Sequence, residues 1–186
     1  PISYRRSRKK HSLIDRAAIK ILTEWKETNK NSKKPEINDF NPAFGNDQRQ
    51  YCSPQYDFPI GCLTNTSSLK TKEYHSSLDN IKNFSITNLL NNLDVCMSII
   101  EILLNNKTFK NLKGYGEPFL TKYNLYPTLN KGINKVINDD LRAALLWVLN
   151  YSDGKNDLLT ISEISKIRFT NIYAAAKKAK LNNLLK

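Results

Sequence analysis

The 186-residue sequence predicts an α/β fold that gives way to a small helical domain at its C-terminal end. Three observations carry that expectation. Apolar residues recur at helical spacing over residues 13–28 and 86–104. Two short stretches suited to strands, "INDF" and "FPIGCLT", fall between those helical patterns. Beyond residue 135 the pattern is helical throughout, with tight turns between segments.

Each element follows from its residues. In "LIDRAAIKILTEWKET", Leu13, Ala17, Ile21 and Trp25 share one face of an amphipathic helix. "NKNSKKPE" is polar, holds Pro35 and reads as a loop. "INDF" is a short strand. "NPAFGNDQRQYCSPQYD" holds two prolines, a glycine and no period of either kind, so an irregular loop of the sort that carries function is expected. "FPIGCLT" reads as a buried strand, and "EYHSSLDN", residues 73–80, follows it. In "ITNLLNNLDVCMSIIEILL" the series Ile86, Leu90, Leu93, Met97, Ile100 and Leu104 predicts a helix packed on the core, capped by Ser85 or Thr87.

Glycines and prolines cluster between residues 113 and 134, which suggests three parts: 1–112, a connector at 113–134, and 135–186. "INDDLRAALLWVLNYSDG" starts with the acidic residues a helix N-terminus favours and stops at Asp153–Gly154. "TISE" pairs Thr160 with Glu163 as a capping box, opening a short helix with Ile161, Ile164 and Ile167 inward. Thr170 is placed to cap a last helix, and Asn182 and Asn183 to close it. Helices in this order, the last two joined by a tight turn, read as a winged helix-turn-helix.

Lys and Arg number 29 against 17 Asp and Glu, a net charge of +12. The lysines are scattered among Asn and Ile, a pattern of compositional bias, except in "PISYRRSRKK". That cluster is expected to dominate any affinity for polyanions. Cys52, Cys62 and Cys96 form no C-x-x-C pair, which fits a reducing compartment. No run looks apolar enough to span a bilayer and no apolar signal core opens the chain, so a cytoplasmic protein with no membrane partner is expected. The chain starts at Pro1, through loss of an initiator or as a piece of something longer.

Two segments carry chemistry. "EYHSSLDN" holds His75 with Asp79 four residues on; a histidine and carboxylate at that spacing suit either a metal ligand or a hydrogen-bonded structural histidine. "GNDQRQYCSP" gathers Asp47, Arg49 and Tyr51, costly to bury unless they bind something, although a solvated turn is the simpler reading.

The stretch "GNDQRQYCSPQYDFPIGCLTNTSSLKTKEYHSSLDN" resembles the C-terminal half of the aminopeptidase-like family allied to the dinuclear zinc aminopeptidases. "GEPFLTKYNLYPTLN" and "ALLWVLNYSDG" are similar to segments further along that family, which ends in a winged helix. The resemblance implies the C-terminal part of a zinc-exopeptidase-like domain followed by a winged-helix domain. It implies zinc as cofactor, with His75 as the last metal ligand and Tyr74 and Asp79 holding the imidazole or its loop. Asp47, Arg49 and Tyr51 would face a peptide or amide-bearing substrate. Gln48 stands where the family has Glu, Gln55 where it has Gly, and Ser76 where it has Thr. An amide cannot act as a general base. The family's upstream histidine, aspartate and glutamate have no counterpart here, because His11 lies in no matching motif. The implied site is therefore incomplete, and the missing N-terminal part or a partner chain would have to complete it.

The alternative is a non-catalytic interaction or nucleic-acid-binding protein on a degenerate hydrolase scaffold. In that reading Asn171, Lys177, Lys178 and Lys180 face phosphates, although the last helix is rich in alanine and lacks arginine.

Overall fold

The structure, a computed structural model, describes residues 1–45, 47–65, 72–123, 125 and 139–186. It divides into two compact units, Pro1–Leu104 and Asn105–Lys186. That division falls ahead of the connector drawn from the glycines and prolines, because Thr108–Lys110 forms a strand of the second unit.

The first unit is built around a three-stranded sheet. The strands are β1 (Ser3–Arg5), β2 (Glu36–Asn38) and β3 (Cys62–Thr64), in the order β2-β1-β3. β1 pairs parallel with β2 and antiparallel with β3. Helix α1 (Leu13–Thr28) is the crossover between the parallel pair. It matches the expected span and buries Ala17, Ala18, Ile21 and Leu22, while Leu13 stays exposed. The central strand was not legible: "SYR" is short and runs into a basic cluster. Ile2, Ser3 and Tyr4 are nonetheless buried.

The basic cluster is not a free cationic patch. Arg6 and Lys10 pair with Asp39, and Arg8 and Lys9 with Asp57. Arg5 donates to the Phe44 carbonyl at 2.9 Å. Hydrogen bonds from Lys10 to Asp39 and from Arg8 to Asp57 hold both carboxyls below the usual carboxylate range. The first ten residues therefore also help to order the chain.

The 41–57 segment is less irregular than expected, since α2 (Asp47–Tyr51) forms within it. β3 is only half-buried, and Phe58 is exposed, so "FPIGCLT" is not the buried strand its composition suggested. Helix α3 (Ile86–Asn105) is present, and the Ser85 hydroxyl accepts from the Asn88 N–H at its start. Its packing is reversed: Val95, Ile99 and Ile102 are buried, while the six residues expected inward are exposed. Contrary to expectation, this 20-residue helix is also long and apolar enough to cross a membrane by length and composition.

The second unit holds α4 (Asp139–Tyr151), α5 (Leu158–Ser165) and α6 (Phe169–Leu181) with a small sheet. β4 (Thr108–Lys110) pairs antiparallel with β5 (Asp153–Asp157). The C-terminal tail lies on the other side of β4: Lys110 and Lys186 exchange both backbone bonds, and Leu112 N–H donates to Leu184. Ala144 of α4 and Ala175, Ala176 and Ala179 of α6 are fully buried, and such small residues let two helices approach closely. Phe169, Ile172, Leu158, Leu159 and Ile161 complete the core.

Caps in this unit shift by a few residues. α5 starts at Leu158 because Asp157 accepts from both the Thr160 N–H and hydroxyl, at 2.7 and 2.6 Å. Thr160 is thus a first-turn donor and not the cap. Ile161 is buried, but Ile164 is exposed and Ile167 half-buried. α6 begins at Phe169, one residue before the expected cap Thr170, with Arg168 as its N-cap. Asn182 and left-handed Asn183 close it as expected. Lys166, at φ 61°, makes the tight turn between α5 and α6.

Candidate functional site

Two segments of the first unit hold the candidate residues. On α2, Asp47, Arg49 and Tyr51 are all exposed. Asp47 and Tyr51, four apart, share one side, while Arg49 lies about 200° round the helix from Asp47. Arg49 makes a long bond to the Pro42 carbonyl, at 3.4 Å. The helix is anchored from beneath by Gln48, which is 5 % exposed. Its Nε2 donates to the carbonyls of Arg6 at 2.9 Å and Ile60 at 2.8 Å. Cys52 continues the anchor, its buried thiol donating to the Phe58 carbonyl.

Gln48 is thus a strap between the end of β1 and the approach to β3. Its neighbours explain the departure from Glu. Two carbonyl oxygens require a donor, and a carboxylate there would meet them with like partial charge. Gln48→Glu should therefore lower stability by about 2–3 kcal/mol at neutral pH, less under mild acid where the carboxyl keeps its proton. Urea unfolding of variant and parent at pH 7 and pH 5 measures this; equal midpoints at both would show that the strap carries no load.

The second segment, residues 72–79, is a run of turns. Ser76 N–H and hydroxyl bond the Glu73 carbonyl, and Asp79 N–H donates to the Ser76 carbonyl. His75 sits in this run at φ 59°, a left-handed conformation in which histidine is enriched among non-glycine residues. Its ring stacks on Tyr74 with centroids 3.9 Å apart. The imidazole is exposed and makes no hydrogen bond among the described residues. That is not the buried, hydrogen-bonded state of a structural histidine. His75→Ala is expected to change stability by no more than about 0.5 kcal/mol. A loss of several times that in chemical unfolding would return the residue to a structural role.

Among the described residues no hydrogen bond or ion pair joins His75 or Asp79 to Asp47, Arg49 or Tyr51. Likewise no three His, Cys, Asp or Glu side chains converge as a metal site. A tetrahedral zinc needs three or four ligands, so one imidazole does not hold the ion by itself.

The strongest polar centre of the unit was missed in the sequence. Asp15, fully buried on α1, accepts from the Tyr4 hydroxyl at 2.9 Å, the Ser7 N–H at 2.7 Å and the Ser7 hydroxyl at 2.6 Å. The Ser12 N–H and hydroxyl also donate to it. Burial opposes its ionisation, yet the hydrogen bonds from Ser12, Ser7 and Tyr4 outweigh that and lower its pKa. Burial, with the Asp15 charge, pushes the Tyr4 hydroxyl up. The signal was Ser12-x-x-Asp15, the spacing at which an N-cap and a third-position carboxylate exchange bonds.

In the second unit, Lys177 and Lys178 are exposed on α6 and Asn171 is half-buried. Lys180 lies over the Phe109 ring, 5.6 Å from its centroid. The outward side of α6 also carries Thr170, Ala174 and Leu181.

Comparison with known proteins gives this architecture a family. The description "Domain of unknown function (DUF4910)" matches residues 1–106. The chain belongs to the DUF4910 family. Residues 107–186 match a winged helix-turn-helix, in agreement with the helices and sheet of the second unit. The DUF4910 chain is 32 % identical over 184 residues to a Clostridium acetobutylicum protein named for polysaccharide biosynthesis and an aminopeptidase-like domain. It is also similar to a crystal structure from Clostridium acetobutylicum described as a peptidase, with a TM-score of 0.83 and 30 % identity over the whole chain. The chain spans 40 % of the first relative and 38 % of the second, and corresponds to the C-terminal half of the former. The resemblance to aminopeptidase-like proteins is thus shown, and with it a mixed α/β fold carrying a winged helix.

Proposed function

We propose that this DUF4910 chain is the C-terminal portion of a zinc-dependent, aminopeptidase-like hydrolase acting on a peptide or amide-bearing substrate. His75 supplies one imidazole to a metal site completed by polypeptide outside the 186 residues, with Tyr74 stacked against it and Asp79 closing its turn. The observation that carries this reading is His75 itself: an exposed imidazole, held at positive φ and without a hydrogen bond among the described residues, in a chain related to aminopeptidase-like proteins. Strained backbone at such a residue points to function. Bound zinc would polarise a carbonyl and activate water. On this side of the site the chain's own work is to position the imidazole and to present Asp47, Arg49 and Tyr51 to solvent and substrate. The reading also retains a cytoplasmic location.

The test is zinc content. The chain alone should bind zinc weakly and lose that binding on His75→Ala. Fused behind the upstream portion of the Clostridium acetobutylicum relative, it should retain zinc, and His75→Ala should reduce the bound metal without moving the unfolding midpoint. Equal zinc in both fusions would overturn the assignment.

A second reading rests on the winged helix-turn-helix and its exposed Lys177 and Lys178. Such residues neutralise phosphates without reading bases, since no arginine fork is present on α6. Binding to random duplexes should be weak and fall steeply with salt, and Lys177→Ala with Lys178→Ala should flatten that salt slope by about two phosphates' worth of counterions. Tight binding to one selected sequence at physiological salt would make the winged helix the functional centre.

A further inference from the structure

Helix α3 is apolar on two opposite sides. Val95, Ile99 and Ile102 form the buried side. About half a turn away, Ile86, Leu90, Leu93, Met97, Ile100 and Leu104 form a continuous stripe from end to end, with exposures of 46 to 72 %. A helix with apolar residues on both sides belongs between two layers, and only one side is covered within the described residues. Six large side chains in one stripe exceed the scattered apolar residues a soluble surface normally carries.

We propose that this stripe is the docking surface for the upstream portion of the peptidase-like domain, the polypeptide corresponding to the part of the relatives outside the match. The proposal rests on the functional reading above only in naming that partner. Two observations choose the occupant. The relatives are more than twice as long as this chain, and this chain corresponds to the C-terminal half of one of them. The match to the solved relative takes in the whole of this chain but 38 % of that one, so in that relative further polypeptide accompanies the counterpart of α3. A bilayer fits less well. Asp94 and Glu101 border the stripe, and Asn88, Asn91, Asn92 and Ser98 lie elsewhere on the helix. An acid near a membrane centre is strongly disfavoured, whereas polar residues bordering an apolar strip are the ordinary rim of a protein interface.

The experiment co-expresses the tagged 186-residue chain with the upstream portion of the Clostridium acetobutylicum relative, followed by affinity capture and size-exclusion chromatography. A one-to-one complex is expected. Leu93→Lys with Met97→Lys should weaken it at least tenfold, while Leu181→Lys, an exposed apolar residue of the second unit, should leave it intact. The double variant should keep the parent's unfolding midpoint, because both side chains are exposed. An upstream portion that stays insoluble or uncaptured beside the wild-type chain would overturn the proposal. So would a fall in the double variant's midpoint, which would place the stripe in the chain's own core. Self-association lost in the double variant would assign the stripe to a second copy. Co-flotation with phosphatidylcholine–phosphatidylglycerol vesicles would assign it to a membrane. A complex that forms but holds no zinc would sink the hydrolase reading and leave the interface standing.

Discussion

Asp15→Ala is expected to cost the first unit about 3–5 kcal/mol, the scale of leaving two or more buried donors unpaired at once. The substitution leaves the Tyr4 hydroxyl and the Ser7 and Ser12 donors facing a void in the interior. Each stranded donor carries its own desolvation penalty. Trp25 lies in the first unit and Trp147 in the second, so unfolding of a Trp147→Phe background by urea reads the first unit alone. Asp15→Asn keeps the shape but not the charge and should fall between parent and Asp15→Ala. The pH dependence follows from the lowered pKa of Asp15. A carboxyl whose folded pKa lies below its unfolded value adds stability above the unfolded pKa and loses it as pH falls through the folded one. The first unit of the parent should therefore weaken below about pH 4, and Asp15→Ala should flatten that acid limb. Parallel pH profiles for the two proteins would show that the carboxylate is not the anchor.

Gly61→Ala is the second large effect. A Cβ at residue 61 would overlap the Tyr4 phenol, with the ring carbon Cε2 only 2.6 Å away. Carbon atoms in contact normally keep about 3.5–4.0 Å apart. The ring cannot swing aside freely, because its hydroxyl is bonded to Asp15 and Tyr4 is 2 % exposed. Overpacking commonly costs about 1–3 kcal/mol, and the upper end or beyond is expected where the crowded group is also tethered. A double-mutant cycle with Tyr4→Leu checks the cause. Removing the phenol should recover much of the Gly61→Ala loss, giving a coupling of about 1 kcal/mol or more. Strict additivity would place the strain elsewhere in the chain.

Both effects centre on β1, the strand least visible in the sequence. Residues 3–5 form three positions followed by four basic side chains, too short for any period to register. What makes them a central strand is distant: parallel pairing with residues 36–38, antiparallel pairing with 62–64, and a carboxylate on α1. Gln48 is similar. As a letter it is a departure from Glu; in the fold it is a donor answering the carbonyls of Arg6 and Ile60.

The local elements were legible because their signals are local. Residues 13–28 and 139–151 form helices where periodicity and end residues place them. The Asn182–Asn183 stop and the helix-turn-helix order likewise depend on neighbours within one or two turns. The motif around His75 also marked the chain as aminopeptidase-like without reference to any contact. Periodicity in α3 correctly indicated a helix but not which apolar side the chain itself covers, because both sides carry a consistent stripe. Hydrophobic spacing records that a face is meant to leave water; only tertiary packing decides what covers it, and in α3 the described residues cover Val95, Ile99 and Ile102 while leaving the longer stripe exposed.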